Sequence, residues 1–287
     1  MTQFRIHHRT VYTYARPVAI GRHRLVLRPR EGHDLRVDSI ELIITPAHRL
    51  EWTWDVFGNC VAIVDFREPS DKLEIVSDVR LSRSAAFHAP DAPEPWRITY
   101  PVVYDVLETT IAAAYQAPSY PDDLDALRAW LTSEFARRDA DDVERMFFDL
   151  GALIFQKIKY RRRQERGVQT PAQTLELASG SCRDMATLMM DAARALGVAA
   201  RFASGYLECA AAEAGHASTH AWAEIYLPTL GWRGFDPTLG KPTSLRHVVA
   251  GVSNHPRGVM PVSGTYTGST SDYLGMEATV KIEKIDS

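Results

Sequence analysis

Two hydrophobic periods divide this chain, and their order restricts the possible folds. From residue 3 to 84 apolar residues return at every second position; from 122 to 196 they return every three or four. In the first strand Phe4, Ile6, His8, Thr10, Tyr12 and Tyr14 share one face, while Arg9 and Thr13 share the other. Leu25 and Leu27 mark a second strand closed by Pro29, and Ile40, Leu42 and Ile44 a third closed by Pro46. Leu50, Trp52 and Trp54 alternate in a fourth, Phe57-Gly58-Asn59 turns into Val61 and Ile63, and Lys72 to Leu81 supplies a sixth. Short strands at this spacing predict an antiparallel β-sandwich over residues 1–84. Strands followed by helices predict an α+β chain.

Residues 85–121 are rich in Ala and Pro and read as a linker with little regular structure, packed down by Trp96, Tyr100 and Tyr104. Helices are expected over 122–137, from Leu124, Leu127, Leu131 and Phe135, and over 143–158, from Phe147, Leu150, Ile154 and Ile158. The basic run YRRRQER at 160–166 reads as a solvated loop that could border a site.

The 287 residues are 45% hydrophobic and 24% charged, with a net charge of −3, so no global basic field points to nucleic acid. Cys60, Cys182 and Cys209 are odd in number and far apart, which fits neither a disulfide framework nor a metal site. A reducing compartment suits them. MTQFRIHHRTVYTYA has no apolar segment of a Sec signal, and no run approaches the roughly 20 residues that span a bilayer. The expectation is a soluble cytoplasmic protein with no membrane partner.

The chemistry concentrates in two stretches. In SGSCRDMATLMMDAARALGV, residues 179–198, Met185, Leu188, Met189, Ala192 and Leu196 fall at helical spacing, and Gly197 ends the helix. Ser181 is the expected N-cap and Asp184 lies in the first turn. Cys182 therefore opens a helix, where free N–H groups favour thiolate. A lone cysteine is more often a small buried hydrophobe. Its partners change that balance. After a strand at 200–207, HAWAEIYLPTLGWRGFDPT at 220–238 alternates, turns at Pro228–Gly231 and alternates again. In such a hairpin His220 and Asp236 come together as direct or diagonal neighbours. An imidazole takes the proton of a thiol, and a carboxylate behind it holds the imidazole.

Competing readings attach to each residue. His220 could be structural, and Asp236 before Pro237 a turn former. His216, in a loop of small residues, ranks below His220 as base, and Cys209 reads as an exposed bystander. Glu224 has a lesser supporting role, and Trp222 either walls the site or fills the core. His8 reads as a satisfied structural histidine and His7 as solvent-facing. Cys60 reads as a strand residue, Arg24, Arg28, Arg30 and Arg36 as a solvated face, and His247 and His255 as surface residues.

SGSCRDMA, RFASGYL, HAWAEIYLP and GWRGFDPT resemble the transglutaminase-like superfamily of cysteine enzymes. The resemblance assigns Cys182 as nucleophile, His220 as base and Asp236 as orienting carboxylate. IHHRTVYTYA and DVFGN resemble the β-sandwich found ahead of this core in bacterial members, so the likeness spans nearly the whole chain. Met185 replaces the family's more usual aromatic. The resemblance implies a papain-like core over 122–287, with the backbone N–H of Cys182 as one oxyanion donor and Tyr160 as a candidate second. It implies a peptide or protein substrate, a thioester intermediate and no cofactor or metal; no calcium-loop pattern is present. Hydrolysis and transfer to a primary amine both stay open. So does a binding or scaffold protein, although an inactive site has no physical reason to keep all three residues. An arylamine acetyltransferase also uses Cys, His and Asp, but a preceding β-sandwich does not suit it. Beyond the core, Val248–Val252 reads as a short strand, 263–271 as a flexible loop and 278–285 as a closing edge strand.

Overall fold

A computed structural model describes residues 2–84, 97–135, 141–163, 167–208 and 219–285. The first period yields five strands: β1 (Thr2–Leu25), β2 (Leu35–Thr45), β3 (His48–Trp54), β4 (Cys60–Phe66) and β5 (Ser70–Arg83). The two strands expected before residue 29 are one, because β1 continues through Pro17. Irregular registers between Thr13 and Val18 and between Ile20 and His23 absorb the bend while pairing continues on both sides.

The helices are α1 (Val106–Gln116), α2 (Leu124–Glu134), α3 (Val143–Lys157), α4 (Pro171–Leu177) and α5 (Cys182–Ala195). The short strands β6 (Lys159–Tyr160) and β7 (Ser179–Gly180) pair in parallel before α5. Then follow β8 (Ala200–Leu207), β9 (Thr219–Leu227), β10 (Gly231–Asp236), β11 (Lys241–Pro242), β12 (His247–Ser253), β13 (Val262–Thr267) and β14 (Tyr273–Ile285).

Two expectations are corrected here. The connector holds helix α1, started by Asp105, whose carboxylate accepts from the N–H groups of Leu107 and Glu108. It does pack down: the Tyr100 hydroxyl donates to Leu196 O at 3.0 Å and that of Tyr104 accepts from Ala199 N–H at 2.8 Å. Trp96 lies outside the described residues, as do residues 136–137 of the expected helix.

The second concerns the C-terminal stretch, which the sequence predicts to lie whole within the core over 122–287. Its last strands return to the N-terminal region: β14 pairs with the first part of β1, from Gln3↔Ile285 to Tyr14↔Tyr273, and β13 with the last part, Ala19↔Thr267 to Leu25↔Val262. The Gly/Ser/Thr composition of 263–271 hid β13, because the ladder comes from a partner more than 230 residues away in sequence. β1 thus belongs to two antiparallel ladders, one with β2, β5 and β14 and one with β3, β4 and β13.

The helix-containing core is built on the sheet β11-β10-β9-β8-β12. Ala221, Ala223 and Ile225 of β9 pack with Met185, Leu188 and Met189 of α5, and Phe147 of α3 meets Phe235 of β10. Burying each of these large side chains is worth about 1.5–3 kcal/mol. The β-rich region shares its apolar packing with this sheet: Ile6, Val79, Leu81 and Val280 cluster with Tyr206, Val248 and Ala250. Polar clamps cross the same boundary. Buried Asn59 donates to Val252 O and accepts from Val252 N–H, both at 2.8 Å. Arg30 and Arg24 are therefore not on a solvated face. Arg30 caps the carbonyls of Phe57 and Gly58 and the Asn59 side chain, and Arg24 pairs with Asp55 of the same turn. Among the described residues no helix is long and apolar enough to cross a membrane.

The pairing makes a direct prediction. Deleting residues 262–287 removes one partner from each half of β1 and uncovers Ile6 and Val79. The thermal midpoint, followed by circular dichroism, should fall by roughly 10 °C or more. An unchanged midpoint would show that β13 and β14 contribute nothing.

Candidate active site

Cys182 is the first residue of α5, where its backbone N–H has no acceptor within the helix. The start of α5 is held by Asp184, which is fully buried. Its carboxylate accepts from the N–H and the hydroxyl of Ser181, each at 2.8 Å, and from Gln169 N–H at 2.8 Å. Arg163 Nη1 donates to both oxygens at 2.9 Å. The basic run is thus not simply solvated: Arg163 is consumed by this ion pair. The sequence signal was present in Asp184, since an acid at the third position of a buried helix needs a counter-charge, but its source could not be located. Removing one member of such a pair strands a buried charge. Replacing Arg163 by alanine should cost about 3–5 kcal/mol in urea unfolding.

His220 and Asp236 meet across the hairpin. Pairing runs from Gly231↔Leu227 to Phe235↔Ala223, so Asp236 continues opposite Trp222 and lies diagonal to His220. His220 Nε2–H donates to Asp236 Oδ2 at 2.7 Å. The Cys182 side chain lies near enough to His220 for its charge to raise the imidazole pKa. The three residues singled out in the sequence are therefore brought together.

Sequence reasoning missed His247. The sequence predicts a surface residue there, yet His247 is only 4% exposed. Its Nδ1 accepts from Ser244 N–H at 3.1 Å, so Nε2 carries the proton and donates to Asp236 Oδ2 at 3.1 Å. On the other carboxylate oxygen Asp236 accepts from the N–H and hydroxyl of Thr238, at 2.9 and 2.6 Å. His247 reaches this place because residues 243–247 cross the sheet from β11 to β12. Two glycines permit the crossing: a Cβ on Gly234 would lie 2.3 Å from Thr243 Oγ1, and one on Gly205 2.0 Å from Val248 O.

His220, Asp236 and His247 lie close enough to hold a metal ion. The tautomer of His247 does not fit one. To coordinate through Nε2 it would have to place its proton on Nδ1, against the N–H of Ser244.

The remaining candidates fall as follows. Trp222 is buried beside both imidazoles, 6.2 Å from His220 and 5.2 Å from His247 between ring centroids, so it walls the site. Glu224 pairs with Arg201 at 2.7 Å, away from the three residues. Tyr160 is half exposed. Burial and the negative charges of Cys182 and Asp236 raise its pKa, which places its hydroxyl in the electrostatic reach of the site. His8 is buried between Tyr206 and Thr10, and burial lowers its pKa to about 4, as suits a neutral structural histidine. His7 is half-buried on Asp78, and His255 half-buried against Tyr120. Cys60 is partly buried in β4, and burial pushes its thiol up. Cys209 and His216 lie outside the described residues.

The electrostatics of the His220–Asp236 pair favour charge on both. Burial opposes the imidazolium, but the hydrogen bond to Asp236 and the negative charges of Asp236 and Cys182 outweigh it, so the His220 pKa rises to about 10. Burial also opposes the Asp236 carboxylate; the donors His220, His247 and Thr238 overcome it and hold the carboxyl far below its usual range. Since the folded His220 pKa lies above its ordinary 6.5, its stabilisation is full below about pH 6.5 and is lost as pH rises through about 10. D236N should remove most of that slope. Urea unfolding across this range should show the wild type losing stability relative to the variant; parallel curves would contradict a charged His220.

A cysteine at the start of α5 thus lies near a histidine and an aspartate that meet across the β9–β10 hairpin. Comparison with known proteins agrees in family. Residues 118–237 match the transglutaminase-like superfamily and residues 4–82 the bacterial transglutaminase-like N-terminal region. The chain carries a transglutaminase-like core and, ahead of it, a bacterial transglutaminase-like N-terminal region. It is similar to an uncharacterized protein of Mycobacterium tuberculosis, 28% identical over 295 residues, covering 97% of this chain and 92% of the relative. A second uncharacterized protein, from Mycobacterium leprae, is 22% identical over 93% of this chain and 94% of its own length. Among solved structures, a "putative cysteine protease" from Cytophaga hutchinsonii superposes with a TM-score of 0.74 at 18% identity. The match covers 100% of this chain and 91% of that one, a likeness of fold.

Proposed function

We propose that this protein is a cysteine-dependent acyl-transfer enzyme that hydrolyses amides of peptides, isopeptide bonds or glutamine side chains through a thioester on Cys182. The observation that carries the reading is the His220 ring, held by Asp236 at 2.7 Å and under the charge of the Cys182 side chain. His220 Nδ1 takes the thiol proton, and Sγ attacks the amide carbonyl carbon. The oxyanion that forms is met by the N–H of Cys182 and, as second donor, the hydroxyl of Tyr160. As the C–N bond breaks, the imidazolium returns its proton to the leaving nitrogen. Water, deprotonated by His220, then attacks the thioester and releases the acid and the thiol. Asp236 keeps the imidazolium aligned throughout.

The finer architecture belongs to the same reading. The ladders that share β1 are two layers of a sandwich, and α5 packed on β8 and β9 is the papain-like half of the site. The substrate is a peptide or protein, and the compartment is the cytoplasm, where a free thiol stays reduced.

The test supplies glutamine peptides with and without a primary amine, and follows ammonia, amine incorporation and chain cleavage. Hydrolysis in the absence of amine, lost by a factor of about 10³ or more in C182A, is the expected result. Amine incorporation at the expense of hydrolysis would instead make it a transglutaminase. Cys182 should also react with iodoacetamide much faster than Cys60. Equal, slow labelling of both would leave a binding or scaffold protein as the reading.

A further inference from the structure

We infer that His247 and Arg83 are positioning residues through which the N-terminal β-rich region aims the carboxylate of Asp236 at His220. The inference rests on the thiol chemistry proposed above, and it assigns the β-rich region a part in that chemistry.

The argument begins at one oxygen. Asp236 Oδ2 accepts two N–H groups, from His220 at 2.7 Å and from His247 at 3.1 Å, while Oδ1 is occupied by Thr238. With both oxygens engaged from two sides the carboxylate cannot rotate about its Cβ–Cγ bond. Without the donor of His247, one side of Oδ2 is open and only Thr238 and His220 itself fix the plane. His220 would then be aligned by a group that it must help to align.

Within the core the segment 243–247 is held by Thr243 N–H on Gly234 O, by Glu208 N–H on Arg246 O and by the pairing of His247 with Leu207. A further anchor comes from the β-rich region. Arg83, the last residue of β5, donates through Nη1 to the carbonyl oxygens of Leu245 and of His247, the latter at 2.6 Å. Asp34 holds the guanidinium in turn, accepting from Nη2 at 3.0 Å and Nε at 3.2 Å, and Asp34 O accepts from Ser84 N–H at 2.8 Å. Arg83 is 10% exposed at its side chain, so the contacts are made where water competes little. The connected path runs Asp34, Arg83, residues 245–247, His247, Asp236, His220, Cys182.

The charged groups that face this path are few. His220 lies 6.1 Å from His247 between ring centroids, and Cys182 and Tyr160 border the front of the site. Behind His247 a cavity of about 120 Å³ is bordered by Arg30, Glu31, Asp34, Arg83, Arg201 and Glu224. Three cations and three carboxylates surround it. Arg83 is paired with Asp34 and Arg201 with Glu224, so no net charge sits behind the ring. Ser244 N–H on Nδ1 leaves Nε2 of His247 as the nitrogen that donates to Asp236, so its contribution is a directed donor.

The test uses the full chain and reads the thiol–imidazole pair without needing a substrate. The rate of iodoacetamide alkylation at Cys182 is followed by mass spectrometry across the pH range in which the fold persists, with thermal midpoints measured alongside. H247L is expected to lower the neutral-pH rate about tenfold and to move the midpoint of the rate's rise with pH upward. H247Q, whose amide N–H can reach the same oxygen, should restore that midpoint to its wild-type position. R83A should move it in the same direction with a smaller loss of rate, about threefold. A lower thermal midpoint in H247L or R83A with the pH midpoint unmoved would overturn the inference. So would a folded H247Q with a pH midpoint as displaced as that of H247L. Should H247L not fold, R83A decides the matter. A wild-type Cys182 no more reactive than Cys60 would defeat the proposed function itself, a different result from any of these.

Discussion

The burial of Asp236 is the constraint on which the rest of the site depends. A carboxylate removed from water costs several kcal/mol unless every oxygen is met by a donor. Asp236 is fully buried and has four donors, two imidazole N–H groups, one backbone N–H and one hydroxyl. Satisfying them dictates the end of β10, the turn through Thr238, the diagonal place of His220 on β9 and the path of residues 243–247. A second buried carboxylate, Asp184, does the same for the other half of the site. Its donors are Ser181, Gln169 and Arg163, and they fix where α5 begins and hence where Sγ sits. The thiol and the imidazole are thus each held by an acid that cannot move without leaving a charge unpaired.

The two regions of the chain are joined by more than a connecting segment. Apolar packing of Ile6, Val79 and Val280 against Tyr206 and Val248 is crossed by polar contacts at Asn59 with Val252 and at Tyr206 with Leu27 O and His8. The return of β13 and β14 to β1 closes the chain on itself, so the β-rich region contains both early and late sequence. Such an arrangement makes the geometry of the site sensitive to strands that never approach the thiol.

Much of this was legible from residue order alone, and the reason is locality. The alternation of β1 to β5 appears because each strand buries one face, and His8 reads correctly as structural because it falls on that face. The start of α5 is announced by Ser181, Cys182 and Asp184, which interact within three residues of one another. The His220–Asp236 pair is legible because a hairpin with a short turn leaves few registers. Helix α1 was hidden by the prolines around it, and the continuity of β1 by Pro17, since a bulge spends no recognisable residue type.

What the sequence by itself determined is the set of local partnerships: which stretches alternate, which coil, where a cysteine opens a helix and which His and Asp share a hairpin face. What only the tertiary structure decided are the partnerships between segments far apart in the chain. Arg163 could not be matched to Asp184, nor His247 to Asp236, nor Arg83 to the carbonyls of 245 and 247, because spacing carries no information about a crossing over glycines. The same holds for β13, whose Gly-, Ser- and Thr-rich segment becomes a strand only when β1 offers it a ladder, and for the partner of β14, whose alternation over 278–285 marks a strand but not where it pairs. Local periodicity reflects the burial of one face, whereas a buried charge finds its donors wherever the folded chain brings them.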